Sequence, residues 1–203
     1  MPELVNDLPF KQLDIGIQNF DRLRQDAINL IQSEEWLDHV NLKDYQGSWQ
    51  VLPIRGLACH IDAHPVLQAF QISNDDSQLY INYPTAEQLP DVIDLFQNLH
   101  CDILSARLMK LAPGACIKTH RDNGLCFSMG QVRLHFCLVS NHNVAFTVAG
   151  KPLAIQEGEL WYINAHEPHS VVNHSNISRI HLVIDCLSND WLGDRLGTQC
   201  STR

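Results

Sequence analysis

The sequence predicts a mainly β protein, a jelly-roll core braced by helices that precede it. Two observations carry that reading. After Cys101 the apolar residues alternate with polar ones through a series of short segments, the period of a strand, with turn-like breaks between them. Before Cys101 the apolar residues recur at helical spacing. A chain of 203 residues is expected to form one domain spanning 1–203. Residues 1–100 then form a helical and mixed support region and 101–190 the β core.

Phe20, Leu23, Ala27, Leu30 and Ile31 mark a first helix, with Asn19 as its N-cap. Thr85-Ala-Glu-Gln88 reads as a capping box opening a second helix, whose apolar stripe is Leu89, Val92, Ile93, Phe96 and Leu99. Between them, Trp49–Leu57 and Gln78–Tyr83 read as strands. Further strands are expected at Ile103–Leu111, Ala115–Thr119, Val132–Ser140, Val144–Val148, Glu159–Asn164, Ser170–Asn173 and Ile177–Cys186. The breaks fall at Pro113-Gly114, Ala149-Gly150-Lys151-Pro152, Glu157-Gly158 and His174-Ser175-Asn176.

Composition narrows the function. Apolar residues make 45% and charged residues 18%, the balance of a globular chain. Fourteen Lys and Arg against 23 Asp and Glu give a net charge of −9, which argues against nucleic acid or an anionic membrane as partner. No apolar run approaches a membrane span. The N-terminus lacks the basic start and apolar stretch of a signal peptide, so a cytoplasmic location is expected. The seven cysteines contain no CxxC pair and are expected as reduced, mostly core thiols. Eleven histidines are more than a chain of this length ordinarily carries.

Several of those histidines fall in pairs at period two. His120 and Asp122, Arg133 and His135, and Arg179 and His181 each share a strand face, with apolar Leu134 and Ile180 between the last two pairs. Adding His169 gives two imidazoles and one carboxylate, the facial triad of non-haem Fe(II) sites. Arg179 lies ten residues beyond His169, where a returning strand can present a guanidinium to a dicarboxylate. A second HxD, His60-Ile-Asp62, has no histidine and arginine following at matching distances. Spacing alone leaves three readings open: an iron site, a solvated polar face, or a metal site of another kind.

The stretches Leu111-Ala-Pro-Gly114, His120-Arg-Asp122, Arg133-Leu-His135, Glu157-Gly-Glu-Leu-Trp161, His169-Ser-Val-Val-Asn173 and Ser178-Arg179 through Asp185 occur in order. Over about Ser105 to Asp185 the chain resembles the aspartyl/asparaginyl β-hydroxylase family of Fe(II)- and 2-oxoglutarate-dependent dioxygenases. Gly158–Arg179 is also similar to bacterial proline cis-hydroxylases. The resemblance implies a double-stranded β-helix, cupin-like in outline. It implies Fe(II) on His120, Asp122 and His169, 2-oxoglutarate and O₂ as cosubstrates, and the distal carboxylate of 2-oxoglutarate on Arg179. It places Arg133 and His135 near the other end of the cosubstrate. Animal aspartyl hydroxylases have glycine where Asp122 stands, so this chain resembles the bacterial branch. With its end near Arg203, the chain is expected to lack the extra C-terminal domain of the proline hydroxylases.

The expected activity is hydroxylation of an amino-acid side chain, foremost the Asp or Asn β-carbon, in a free, peptidyl or carrier-bound substrate. Alternatives are another free amino acid such as proline, or a cupin-like metal-binding module without turnover. Arg107, Arg55 and Trp161 are candidates for substrate contact. His142, His166 and His174 beside turns are expected at the surface, and His60, Asp62 and His64 as structural.

Overall fold

The computed structural model describes residues 8–15, 17–34, 36–62 and 79–198. Its strands are β1 (Phe10–Leu13), β2 (Leu37–Asp38), β3 (Tyr45–Gln46), β4 (Trp49–Leu57), β5 (Tyr80–Asn82), β6 (Ile103–Leu111), β7 (Cys116–His120), β8 (Gln131–Val139), β9 (Val144–Val148), β10 (Lys151–Leu153), β11 (Leu160–Ile163), β12 (His169–Asn173) and β13 (Arg179–Leu187). The helices are α1 (Phe20–Ser33), α2 (Pro90–Asn98) and α3 (Asp190–Leu196). The eight-stranded sheet runs β1-β11-β8-β13-β6-β4-β2, with β5 on β4, and the five-stranded sheet runs β10-β9-β12-β7-β3. All the pairings are antiparallel. This is the jelly-roll architecture the alternation predicts.

Strand alternation creates two cores. One face of the large sheet turns Leu52, Leu108, Leu134, Phe136, Leu182 and Ile184 toward Leu23, Ala27 and Leu30 of α1, Val92 and Leu95 of α2 and Leu192 of α3. The other face packs Trp49, Val51, Met109, Leu111 and Val183 against Ile117, Phe146, Val148 and Val171 of the small sheet. The central strand β13 is therefore covered on both sides, and eight of its nine residues are buried. Polar residues on its inter-sheet face, Arg179, His181 and Asp185, sit inside the protein and not in solvent.

Several expectations are corrected. Residues Pro84–Gln88 form a 3₁₀ turn, not the start of the second helix, and Thr85 makes no cap. Pro90 explains this: it sits at the first turn of α2 and keeps Leu89 out of the helical region (φ −129°, ψ 63°). Asn19 holds the N-cap position of α1, but in left-handed conformation and without a capping bond from its side chain, which reaches Asp91 instead. Lys151 and Pro152, expected in a turn, belong to the edge strand β10, where a missing N–H is tolerated. The turn itself is only Ala149-Gly150, both at positive φ, as a two-residue hairpin requires. The two-residue strands β2 and β3 are additions, as are β1 and α3. Gly47 lets the chain beside β3 come against Ala115, where a Cβ would lie 2.7 Å from the alanine Cβ.

His60 is buried in a 3₁₀ turn and Asp62 is exposed, while His64 lies outside the described residues. Cys126, Cys137 and Cys186 are buried free thiols. No helix among the described residues is long and apolar enough to cross a membrane.

Candidate metal centre

Antiparallel pairing of β7 with β12 puts His120 directly opposite His169. Their rings lie 4.2 Å apart, centroid to centroid. Asp122 follows two residues after β7, in a loop latched to the segment before β12. Its N–H donates to the Ala165 carbonyl (2.8 Å), and the His166 N–H donates to the Leu125 carbonyl (3.2 Å). Asp122 Oδ2 then stands 3.7 Å from His169 Nε2. The three residues offer ligand atoms all within 4.8 Å of one another.

Each imidazole is oriented by backbone two residues earlier. His120 Nδ1 lies 2.8 Å from the Lys118 carbonyl, and His169 Nδ1 lies 3.0 Å from the Glu167 carbonyl. A carbonyl only accepts, so Nδ1 carries a proton in both rings and Nε2 is the atom each ring can offer to a metal. Burial pushes the His169 ring down to about 4, against the pull of the Glu167 carbonyl, so it is neutral at pH 7. Burial opposes ionisation of Asp122, but Arg133 and the two histidines outweigh it and hold the carboxyl below its ordinary value. Two imidazole nitrogens and one anionic oxygen converge, the donor set that suits a non-haem Fe(II) ion.

Behind Asp122 lies a buried charge network. Arg133 grips Asp185 with two parallel bonds, Nε to Oδ1 (2.7 Å) and Nη2 to Oδ2 (3.0 Å), and its Nη1 contacts Asp122 Oδ2. Arg107 donates from Nη2 to Asp185 Oδ2 (3.0 Å) and from Nη1 to Ser105 Oγ (2.9 Å). Burial opposes the charge on Asp185, yet the two guanidiniums hold its carboxyl far below the usual range. Burial likewise lowers Arg107, and the carboxylates raise Arg133 despite its burial.

Arg179 is different. It is 4% exposed, and among the described residues no carboxylate pairs with it. Nη2 lies 3.0 Å from His181 Nδ1, and the guanidinium sits 5.3 Å from the centre of the Phe146 ring. Burial pushes it down to about 10, so it remains charged at neutral pH. His135 lies beside it, its ring 5.6 Å from His181 and its buried Nδ1 without a partner. Burial, then Arg179 and Arg133, keep His135 neutral.

The sequence candidates thus divide. His120, Asp122 and His169 come together. Arg179 and His135 lie on the inter-sheet face of the large sheet, turned toward the small sheet that carries His120 and His169. Arg133 is on the same face, with its guanidinium bonded to Asp185 and Asp122. Arg107 is buried in the charge network with Asp185 and Ser105. Trp161 faces the same side of the sheet as His135, its strand partner, with Nε1 bonded to Glu159. Arg55 ties strands together through the Ile103 carbonyl and Asn82.

Sequence reasoning missed Asp185, whose signal was a lone acid on the face that also carries Arg179 and His181. It also missed an aromatic wall. His39 stacks on Trp49 at 3.6 Å, Tyr45 meets Trp49 edge-on, and Trp49 lies 6.4 Å from His120.

Comparison with known proteins agrees with this geometry. Residues 17–189 match the family described as aspartyl/asparaginyl beta-hydroxylase. Over 105 residues the chain is 32% identical to L-proline cis-4-hydroxylase of Rhizobium meliloti (strain 1021), covering 50% of this chain and 37% of that protein. The match therefore spans little more than a third of that relative's length. A Pseudomonas putida prolyl-4-hydroxylase superimposes with a TM-score of 0.53 at 16% identity, over 92% of this chain and 96% of its own. A prolyl hydroxylase from Trichoplax adhaerens, in complex with a hypoxia inducible factor peptide fragment, gives 0.54 at 14% identity, over 89% and 84%. At these identities the two structures share the fold. With a family match over most of its length and a His-Asp-His cluster inside a jelly roll, the chain belongs to the aspartyl/asparaginyl beta-hydroxylase family.

Proposed function

We propose that this protein is an Fe(II)- and 2-oxoglutarate-dependent dioxygenase that hydroxylates an amino-acid side chain. One observation carries the reading. A cluster of two oriented imidazoles and a carboxylate stands between the sheets that also bury a guanidinium, Arg179, with no carboxylate paired to it among the described residues. A buried unpaired charge is costly, and a dicarboxylate cosubstrate would neutralise it.

His120, Asp122 and His169 would hold the iron, which when bound supplies activation of O₂ against an unactivated C–H bond. Arg179 would take the distal carboxylate of 2-oxoglutarate. His135, between Arg179 and the metal ligands, would lie along the cosubstrate. Arg133 serves Asp122: held by two parallel bonds on Asp185, it would fix the carboxylate offered to the metal. The half-buried Trp161 and the wall of Trp49 and Tyr45 belong to the same inter-sheet core and would exclude water around a small or peptidyl substrate.

The family description favours the β-carbon of Asp or Asn as the target, free, peptidyl or carrier-bound. The similarity to L-proline cis-4-hydroxylase makes free proline the second reading. Turnover separates them. Succinate release from 2-oxoglutarate, dependent on O₂ and Fe(II), is expected to rise with Asp or Asn derivatives and less with proline. Stimulation by proline alone would transfer the assignment to the second reading. Tight Fe(II) binding with no 2-oxoglutarate consumption under any substrate would favour a metal-binding module instead.

A further inference from the structure

Two of the cysteines meet behind the charge network. Cys186 is in β13 and fully buried, and Cys101 is half-buried in the segment that leads into β6. Antiparallel register sets Cys186 opposite Ile103, so Cys101, two residues earlier, is its diagonal neighbour on the same face. Cys186 and Ile103 belong to the core under the helices, and Cys101 packs against that core. The chain on both sides of Cys101 is fastened to the end of β13. The His100 carbonyl accepts from Asn189 Nδ2 (2.7 Å), and the Asp102 carbonyl accepts from the Leu187 N–H (2.9 Å).

The two thiols are hydrogen-bonded to each other. That bond, then burial, hold the Cys186 thiol well above its ordinary value, so it keeps its proton and is the donor. Cys116, Cys126 and Cys137 instead turn to side-chain oxygens, of Gln46, Ser128 and Ser140. The pair has a half-buried sulfur that a small reagent can reach and a buried one behind it. Cys186 also adjoins Asp185, which grips Arg133 and Arg107 on the opposite face of the strand. The β13–β6 register shifts between Asp185 and Cys186, so the ladder is irregular at the step that joins thiol to carboxylate.

We infer that Cys101 and Cys186 form a reversible disulfide, a redox switch that loosens the Asp185 grip on Arg133 when it closes. The oxidant is a small disulfide such as glutathione disulfide. The Cys101 thiolate attacks one of its sulfurs, the oxidant's S–S bond breaks, and the first glutathione thiol leaves with the proton Cys101 gave up. The Cys186 sulfur then attacks the mixed disulfide at Cys101, and its proton goes to the second departing glutathione. Two cysteines are oxidised by two electrons and one disulfide is reduced to two thiols. Closure brings the sulfurs from hydrogen-bonding contact to about 2 Å. The segment at Cys101 is fastened, so β13 yields at its irregular step and Asp185 moves with it. Asp122, held by Arg133, then loses support.

The test treats metal-free protein with glutathione disulfide, and peptide mass mapping locates the products. A Cys101–Cys186 link that dithiothreitol reverses is expected. In ¹⁵N-arginine-labelled protein the Arg133 Nε–H resonance should move upfield and exchange faster once the link forms, as its bond to Asp185 weakens. Anaerobic calorimetry should show Fe(II) bound about tenfold more weakly by the linked form, the lower end of the loss seen when a group supporting a metal ligand is removed. Cys101→Ser and Cys186→Ala should show the same Arg133 signal and Fe(II) affinity with and without oxidant. Glutathione left on Cys101 with no link would overturn the inference, and so would a link that leaves the Arg133 signal in place. If reduced protein binds no Fe(II), the proposed function falls, and the Arg133 signal still decides the switch.

Discussion

Replacing Asp185 by Asn tests the buried network that supports the metal ligands. Asp185 is 3% exposed and accepts from Arg133 twice and from Arg107 once, with Ser105 Oγ at 3.4 Å. The substitution keeps the shape but removes the charge and turns one oxygen into a donor facing a guanidinium. At least one charge-assisted bond is lost outright, and two buried arginines are left with Asp122 as their remaining carboxylate. Breaking a buried pair from one side costs about 3–5 kcal/mol, a large share of the roughly 5–15 kcal/mol that holds a domain folded. Urea unfolding of metal-free protein at pH 7 reads this directly.

The pH dependence gives the sign. The folded-state carboxyl is depressed, so its contribution is complete above the unfolded value of about 3.9 and fades as pH falls below it. The gap between wild type and Asp185→Asn should therefore close in acid. Replacing Arg107, Asp185 and Arg133 together by apolar residues of similar volume should recover most of the stability and still leave Fe(II) affinity reduced, because Asp122 has lost its support. A destabilisation under about 1 kcal/mol for Asp185→Asn at pH 7 would refute the reasoning, since the network would then be solvated or redundant.

Two further outcomes follow from buried groups. Arg179→Met should stabilise the ligand-free protein by on the order of 1 kcal/mol while abolishing 2-oxoglutarate binding, because it removes a buried charge held without a carboxylate; a lower melting temperature would mean that the charge is already compensated. His169, His135 and His181 all have depressed folded values, with His169 at about 4. The unfolded chain therefore takes protons first as pH falls below about 6.5, and metal-free protein should lose roughly 1.4 kcal/mol per pH unit per histidine. His181→Phe should flatten that slope by one proton, and a stability flat between pH 6.5 and 5 would contradict the burial of these rings.

Much of this was readable in the residues. Alternation placed β6 and β9 at their observed limits, the strand read at Trp49–Leu57 matches β4, and period two put Arg133 with His135 and Arg179 with His181 on shared faces. What alternation alone does not tell is which face meets water. Leu134 and Ile180 mark the opposite face as apolar, and a half-exposed strand reads the same way. Here the helices cover that face and the small sheet covers the other, so the polar side chains are interior.

Asp185 was silent for a related reason. Its meaning comes from Arg133 and Arg107, each on a different neighbouring strand, and cross-strand register is not written in any one strand. The same absence of register hid the bonds of Arg133 to Asp185 and Asp122. Strands as short as β2 and β3 have too few residues to show a period, and they exist because β4 and β7 offer them an edge. At Thr85 a valid local signal lost to a stronger one, the proline five residues later.

The central claim is a metal–cosubstrate site formed by His120, Asp122, His169 and Arg179. The most direct measurement is the visible spectrum of metal-free protein titrated anaerobically with Fe(II) and then 2-oxoglutarate. A weak charge-transfer band is expected in wild type only when both are present, absent in His169→Ala for want of iron and in Arg179→Met for want of cosubstrate. Fe(II) binding without any band at saturating 2-oxoglutarate would contradict the claim.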